Sequence, residues 1–308
     1  MERLDGSSGM PDRMRGSIVA LGNFDGFHKG HQAVVGRAIE RARAEGRPAV
    51  VATFDPHPVR FFRPDTAPFR LTSLNQRERL FAQAGADAMM VFPFNAGLAG
   101  LSAKDFVAQR LAGVGGVVTG EDFTFGKGRD GNVDVLADLG RAHGFIAEAV
   151  SPVFDGADVI SSSRIRDALQ AGDCVTAAQL LTRPFAIEGV VHHGDKNGRK
   201  LGYPTANIEM GTYLRPRYGI YAVRGRLADG RLLDGAASIG IRPQFEPPKE
   251  LLEPHFFDFS GDLYGETVEL EFHAFLRDEA KFESLDALTR QIGLDCDQAR
   301  EILSARQN

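Results

Sequence analysis

Residues 19–35 read VALGNFDGFHKGHQAVV, and this stretch decides the fold of the first half of the chain. An apolar run ends at Leu21, a turn rich in Gly, Asn and Asp follows, and from Lys29 the apolar spacing becomes helical. A strand that passes through a glycine-rich turn into a helix opens a βαβ unit. Working outward, β-branched or apolar runs recur at SIVAL (17–21), PAVVATF (48–54), ADAMMVF (86–92), VGGVVTG (114–120) and FIAEAV (145–150). Helical patterns fill 29–45, 74–84, 102–111 and 132–143. This rhythm predicts an α/β, Rossmann-like parallel sheet, with its ligand beyond the C-terminal ends of the strands.

Two more helix-like segments, SSRIRDALQAG (162–172) and CVTAAQLL (174–181), precede a change of texture at Arg183–Pro184. From there to 277 the chain alternates in short runs, FAIEGVVHHG, GIYAVRGRL, LLDGAASIG, HFFDF and TVELEFHAFL, broken by Gly, Pro, Asp and Asn. That pattern predicts an antiparallel β-barrel or sandwich, and residues 283–305 a closing amphipathic helix. Two domains are expected, 16–183 and 184–308, with residues 1–15 a mobile tail of no readable function.

Composition narrows the classes. The 308 residues carry 36 Lys and Arg against 41 Asp and Glu, a net charge of −5, so no global basic field attracts nucleic acid. Cys174 and Cys296 are the two cysteines, far apart and outside any CxxC or zinc spacing. No apolar run approaches a membrane span, and MERLDGSSGMPDRMRG lacks the apolar core of a signal peptide. A cytoplasmic address is expected, and the oligomeric state is not legible.

The turn after the first strand holds Asn23, Asp25, His28, Gly30 and His31. Two histidines three apart lie on one side of a first helical turn, where backbone N–H groups and the helix dipole favour an anion. Imidazoles there can stabilise charge on a reacting polyphosphate; a metal pair or two surface histidines share the same spacing. ISSSRIRDAL (160–169) sets Ser162, Arg164 and Arg166 at a helix start, which suits terminal phosphates or a plain N-cap with solvated arginines. GEDFTFGKGRDGN (120–132), with Asp122 and Phe125, reads as a ligand-covering loop. TFDPHP (53–58) ends a strand, and His57 there reads as structural.

Together the ordered segments GxFDGxHxGH, TFxPHP, GxDFxFG and SSxRIR resemble the adenylyltransferase module of bacterial bifunctional riboflavin kinase/FAD synthetases, and the first and last resemble the wider HxGH nucleotidyltransferases. In the β-rich half, GDKNGRKLGYPTANI (194–208) offers Gly194, Lys196, Gly198 and Arg199 as a basic flap, with Thr205 and Asn207 as hard oxygen donors for Mg²⁺ on ATP. A glycine-rich hairpin with a polar strand fits the same spacing. LLEPHFFDFSGDLYG (251–265) places Glu253 among apolar neighbours, as a general base or as a salt-bridged strand residue. GRKLGYPTAN, GIYA, GIRPQF, EPH and DLYG resemble the riboflavin kinase domain of the same family, in its order. Gln244, Pro254 and Asn197 depart from that pattern.

The resemblance implies phosphorylation of riboflavin to FMN by ATP, with Glu253 as base, and then adenylylation of FMN to FAD with release of pyrophosphate. It implies His28 and His31 at the α-phosphate and Ser162, Arg164 and Arg166 at the departing pyrophosphate. Asn23, Asp25 and Gly30 would shape the nucleotide site, with Asp122 and Phe125 on the flavin side. Magnesium, ATP, riboflavin, FMN and FAD are the expected ligands, and neither nucleic acid nor membrane is expected. Two other readings are an HxGH adenylyltransferase for a different acceptor and a flavin-binding regulator. No helix-turn-helix with a basic face supports the latter.

Overall fold

The computed structural model describes residues 1–193, 202–242 and 249–305, and the chain divides into two compact units. The first comprises 1–67 and 74–161, the second 68–73 and 162–308. In chain order the first unit contains β1 (Glu2–Asp5), β2 (Ile18–Leu21), α1 (Lys29–Glu45), β3 (Ala49–Asp55), α2 (Pro58–Phe62), α3 (Leu74–Ala84), β4 (Ala88–Pro93), α4 (Ala96–Ala99), α5 (Ala103–Arg110), β5 (Gly116–Gly120), α6 (Val133–His143), β6 (Ile146–Val150), and the small hairpin β7 (Phe154–Asp155) and β8 (Asp158–Val159).

Six parallel strands form one sheet in the order β1-β4-β3-β2-β5-β6. The central strands are apolar throughout because both faces are covered, as a parallel sheet requires. Successive residues of β2 point to opposite faces. Ile18 and Ala20 join a core with Val35, Ile39 and Phe81, while Val19 and Leu21 join one with Phe92, Phe106 and Leu136. Phe81 is fully buried and meets both Phe24 and Phe27 edge-on, at 5.9 and 5.1 Å. Its truncation to Ala would cost about 3–5 kcal/mol.

The expected strands and helices of this half form, with ends shifted by a residue or two. Residues 1–15 are a correction: they are no tail. Glu2–Asp5 pairs in parallel with β4, Leu4 opposite Met90, and Leu4 and Met10 enter the core. ERLD carries a single apolar residue, so hydrophobic pattern could not announce it; edge pairing of the main chain makes the strand.

The second unit contains α7 (Ser162–Ala171), α8 (Cys174–Leu181), β9 (Phe185–His192), β10 (Asn207–Ile208), β11 (Gly219–Leu227), β12 (Leu232–Arg242), β13 (Lys249–Phe256), β14 (Thr267–Arg277) and α9 (Leu285–Ala305). Its six strands close an antiparallel barrel in the order β10-β13-β12-β11-β14-β9. Tyr221, Val223, Ile239, Leu252, Leu270 and Phe272 are buried in it. Gly225 is glycine for packing: a Cβ there would lie 2.6 Å from the Phe256 ring. Ala222 and Ala236, small by need, make room for α9, which seats Cys296, Ala299 and Leu303 on them. Arg277 on β14 clamps Asp295 of α9 with two hydrogen bonds of 2.9 and 2.7 Å. Both α7 and α8 belong to this unit, α8 packing on β9 and β14. Cys174 and Cys296 are buried free thiols.

Candidate functional site

In the first unit β2 has β3 on one side and β5 on the other, so the order of winding reverses there. Open α/β sheets bind ligands beyond the strand ends at such a switch point. The loop after β2 carries Asn23–His28, and the loop after β5 carries Asp122 and Phe125. The sheet thus brings two of the singled-out segments to one crevice, with TFDPHP at the end of neighbouring β3.

The loop 22–28 has an unusual backbone. Phe24 and Phe27 adopt φ of 49° and 47°, a region costly for non-glycine residues. Their rings, 2% and 4% exposed, are anchored in the core, which over-determines that conformation. His28 then caps α1, its Nδ1 accepting the His31 N–H at 3.4 Å. The two imidazoles stack with centroids 3.6 Å apart and 21° between planes, and Phe24 meets His31 edge-on at 5.4 Å. Gly30 has its own reason: a Cβ would come within 3.1 Å of His28 Cε1 and 3.2 Å of Nδ1. Asp25 is buried and Asn23 exposed. The Ile160 carbonyl also lies beside Gly30, at 3.5 Å from that position. Ser161, the next residue, ends this unit, and the chain continues into α7.

Sequence reasoning missed Arg77 of α3. It is 2% exposed and donates through Nη1 to the Asn23 carbonyl at 3.0 Å and to Thr53 Oγ1 at 2.8 Å. Thr53 donates its hydroxyl to the same carbonyl at 2.8 Å. In sequence Arg77 is one of two arginines on an amphipathic helix, and nothing local marks it. A second omission is the aromatic cluster of Phe61, Phe62 and Phe94, with centroids 5.2–5.7 Å apart and Phe62 65% exposed.

The loop after β5 and the turn after β3 are tied into the unit by packing and capping. Phe125 is a core residue, 7% exposed and 5.6 Å from Phe106, and the half-buried Phe123 stacks on it at 5.7 Å. Asp130 of the same loop caps Ala103 N–H, at 3.1 and 3.2 Å from its two oxygens, which gives the loop a structural tether. Asp122 is exposed. His57 caps α2, accepting the Val59 N–H at 3.2 Å.

In the second unit Ser162 starts α7, and Arg164 and Arg166 are half-buried on it. Arg166 is committed within the unit: Nε donates to the Phe69 carbonyl at 2.8 Å and the guanidinium lies 5.1 Å over the Phe69 ring.

The barrel makes one juxtaposition that sequence could not. Ile208 pairs with Leu252 and Ala206 N–H donates to the Pro254 carbonyl at 2.9 Å, so Asn207 stands directly opposite Glu253. Directly opposed side chains share a face with Cβ atoms roughly 5 Å apart. Thr205 lies two residues before Asn207 on the segment that leads into β10, and the His255 Nδ1–H donates to the Pro204 carbonyl at 2.8 Å. Pro254 does no harm here. Its backbone faces the short β10 side, whereas Glu253 keeps its pairing with Ser238 of β12. The missing donor therefore falls where the ladder ends.

Glu250 on β13 anchors the chain that follows β10, accepting Arg215 Nε at 2.7 Å and the Tyr218 hydroxyl at 2.6 Å. Burial opposes its ionisation, but those two hydrogen bonds outweigh it and lower its pKa. Burial and the same carboxylate push the Tyr218 phenol up to about 12.

Thr205 and Asn207 supply a hydroxyl and an amide oxygen, both half-buried, and among the described residues neither side chain is engaged by another. Neutral hard donors suit Mg²⁺, which takes its remaining ligands from water and phosphate. Among the described residues no three His, Cys, Asp or Glu gather as a softer metal would want. Gly194, Lys196, Gly198 and Arg199 lie outside the described residues, as do Asn197 and Gln244. His193, a described residue, has its ring centroid 3.6 Å from that of Tyr264 in the DLYG turn.

A family model described as FAD synthetase matches residues 10–164, and one described as riboflavin kinase matches 181–303. A bifunctional riboflavin kinase/FMN adenylyltransferase of Pseudomonas fluorescens is 41% identical over 307 residues, 98% of each chain. Its namesake in Escherichia coli K12 is 37% identical over 295 residues, 95% of this chain and 92% of that one. A crystal structure from Streptococcus pneumoniae, titled a macrolide-efflux protein, matches with a TM-score of 0.85 and 32% identity over 96% of this chain and 97% of its own. Among the described residues no helix is long and apolar enough to cross a membrane. Both halves match in order and the curated relatives align over nearly their full length: the chain belongs to the bifunctional riboflavin kinase/FMN adenylyltransferase family.

Proposed function

We propose that the chain makes FAD in two ATP-dependent steps. In the barrel, riboflavin's ribityl 5′-hydroxyl gives its proton to Glu253 while its oxygen attacks the γ-phosphorus of ATP; the bond from that phosphorus to the β-phosphate oxygen breaks and ADP leaves. Thr205 and Asn207 would hold Mg²⁺, which supplies neutralisation of the phosphate charge when bound. Asn207 opposite Glu253 sets that carboxylate beside the nucleotide phosphates, and the observation that carries this half is their shared position across β10 and β13. Gly194, Lys196, Gly198 and Arg199 would bind the nucleotide phosphates.

At the switch point an oxygen of the FMN phosphate attacks the α-phosphorus of a second ATP and pyrophosphate leaves. The attacking phosphate is already ionised, so alignment and charge stabilisation carry the rate. His28 and His31 donate to the α-phosphate oxygens as charge builds; the family resemblance assigns the departing pyrophosphate to Ser162, Arg164 and Arg166. Asn23 and Asp25 shape the nucleotide site, Gly30 leaves His28 its place, and Asp122 faces the flavin side while Phe125 supports its loop from the core. Phe62, exposed beside Phe61 and Phe94, offers the isoalloxazine an apolar surface. ATP use and the buried free thiols suit a cytoplasmic address.

The stacked pair His28 and His31 supports the second half, and partition of the activities tests both. His31→Ala should lose FAD formation by about 10²–10³-fold with FMN formation intact, and Glu253→Gln the reverse. Loss of both activities from either change would refute the two-site assignment.

A further inference from the structure

Arg77 has no place in either set of reacting groups, yet it is among the most deeply buried side chains of the first unit, 2% exposed. A guanidinium taken from water is costly unless its donors are used and its charge is met. Here Nη1 donates to the Asn23 carbonyl (3.0 Å) and to Thr53 Oγ1 (2.8 Å), while Nη2 lies 4.0 Å from the Asp55 carboxylate. Thr53, 0% exposed, turns its hydroxyl onto the same carbonyl at 2.8 Å. One backbone oxygen thus receives two donors from two different elements.

That oxygen sits at the start of the strained loop. Phe24 follows at φ 49°, its ring against His31 at 5.4 Å, and Phe27 at φ 47° leads directly into His28. A loop in a costly backbone region persists only where its surroundings fix it. Core packing of the two Phe rings fixes the middle, and the doubly bonded Asn23 carbonyl fixes the entry.

We propose that Arg77, with Thr53, is a positioning residue of the adenylyltransferase site, locking the entry of the 22–28 loop so that the His28–His31 stack faces the α-phosphate. The inference rests on the assignment of FAD formation to that stack. Arg77 touches neither substrate nor reacting atoms; its effect passes through the loop backbone. Misplacement of a catalytic group by about 1 Å can cost on the order of 100-fold in rate.

The test uses the full chain with FMN, ATP and Mg²⁺ for FAD formation, and riboflavin, ATP and Mg²⁺ for FMN formation as an internal control. Arg77→Met should lower kcat for FAD formation by about 10- to 100-fold, with KM for FMN moving less than about threefold and FMN formation unchanged. Arg77→Lys, which keeps a charged donor without the fork, should recover part of the loss. Thr53→Val should lower the same kcat, and the double variant should be no slower than Arg77→Met, because both act on one carbonyl. If Arg77→Met does not fold, Arg77→Lys and Thr53→Val decide by the same kcat and KM readings. Wild-type kcat in a folded Arg77→Met, or losses that multiply in the double variant, would overturn the proposal. A wild-type protein that makes no FAD from FMN would remove the adenylyltransferase reading and this inference together.

Discussion

Replacing Gly30 by Ala separates stability from chemistry at the histidine turn. Gly30 is the second residue of α1 and is not among the residues with positive φ, so alanine can adopt its backbone without strain. Helix propensity alone would favour the change by up to about 1 kcal/mol. The new methyl carbon, however, would lie 3.1 Å from His28 Cε1 and 3.2 Å from Nδ1, closer than such contacts settle. The imidazole must give by a few tenths of an ångström, and it has little slack, because the His31 ring lies 3.6 Å away. Scaled from the roughly 100-fold cost of a ~1 Å misplacement, such a shift predicts about fivefold slower FAD formation, or about 1 kcal/mol in the barrier. The melting temperature should stay within about 3 °C of wild type, since 1 kcal/mol moves a unit of this size by ~2–4 °C. Initial rates of FAD formation from FMN and ATP, beside FMN formation from riboflavin, read the effect. Wild-type FAD formation in the variant would refute the claim that Gly30 exists to leave His28 its place. An equal loss of both activities would show a folding defect instead.

Two further outcomes concern the barrel. Arg277→Met leaves the buried Asp295 with Gln291, at 2.9 Å, as its remaining side-chain donor among the described residues, and should destabilise the kinase unit by about 2–3 kcal/mol in urea titration; an unchanged midpoint would mean that the clamp contributes nothing. Burial pushes the Cys296 thiol up to about 11 from its ordinary 9.0. Folding therefore favours the protonated thiol, so its contribution is fully present below pH 9 and is lost as pH rises towards 11. The unfolding free energy from urea titration should fall between pH 8.5 and 10.5 by up to about 2 kcal/mol, less so in Cys296→Ala, and equal slopes in the two proteins would contradict the assignment.

Much of the fold was legible because its signals are local and periodic. Helix α1 begins where His28 can cap it and ends at Gly46, and the buried parallel strands are continuous apolar runs. The barrel showed as short alternating runs, and α9 as an amphipathic stripe. What escaped depends on partners distant in sequence. Helices α7 and α8 read correctly as helices, but their periodicity does not say which unit buries their apolar faces. Arg77 has no local signature because its acceptors are 24 and 54 residues away. Phe125 and Phe123 are the same residue type two apart, and only the packing against Phe106 tells the buried ring from the more accessible one. Glu253 and Asn207 were singled out separately, whereas their alignment across β10 and β13 comes from strand register.

The central claim is that one chain carries two flavin-processing sites, and separation of flavins by chromatography tests it most directly. Purified protein is incubated with ATP and Mg²⁺, one tube receiving riboflavin and a second FMN. The account predicts FMN followed by FAD in the first tube, and FAD in the second. FAD from FMN with no FMN from riboflavin would contradict the kinase assignment at Glu253, and no product in either tube would contradict the account as a whole.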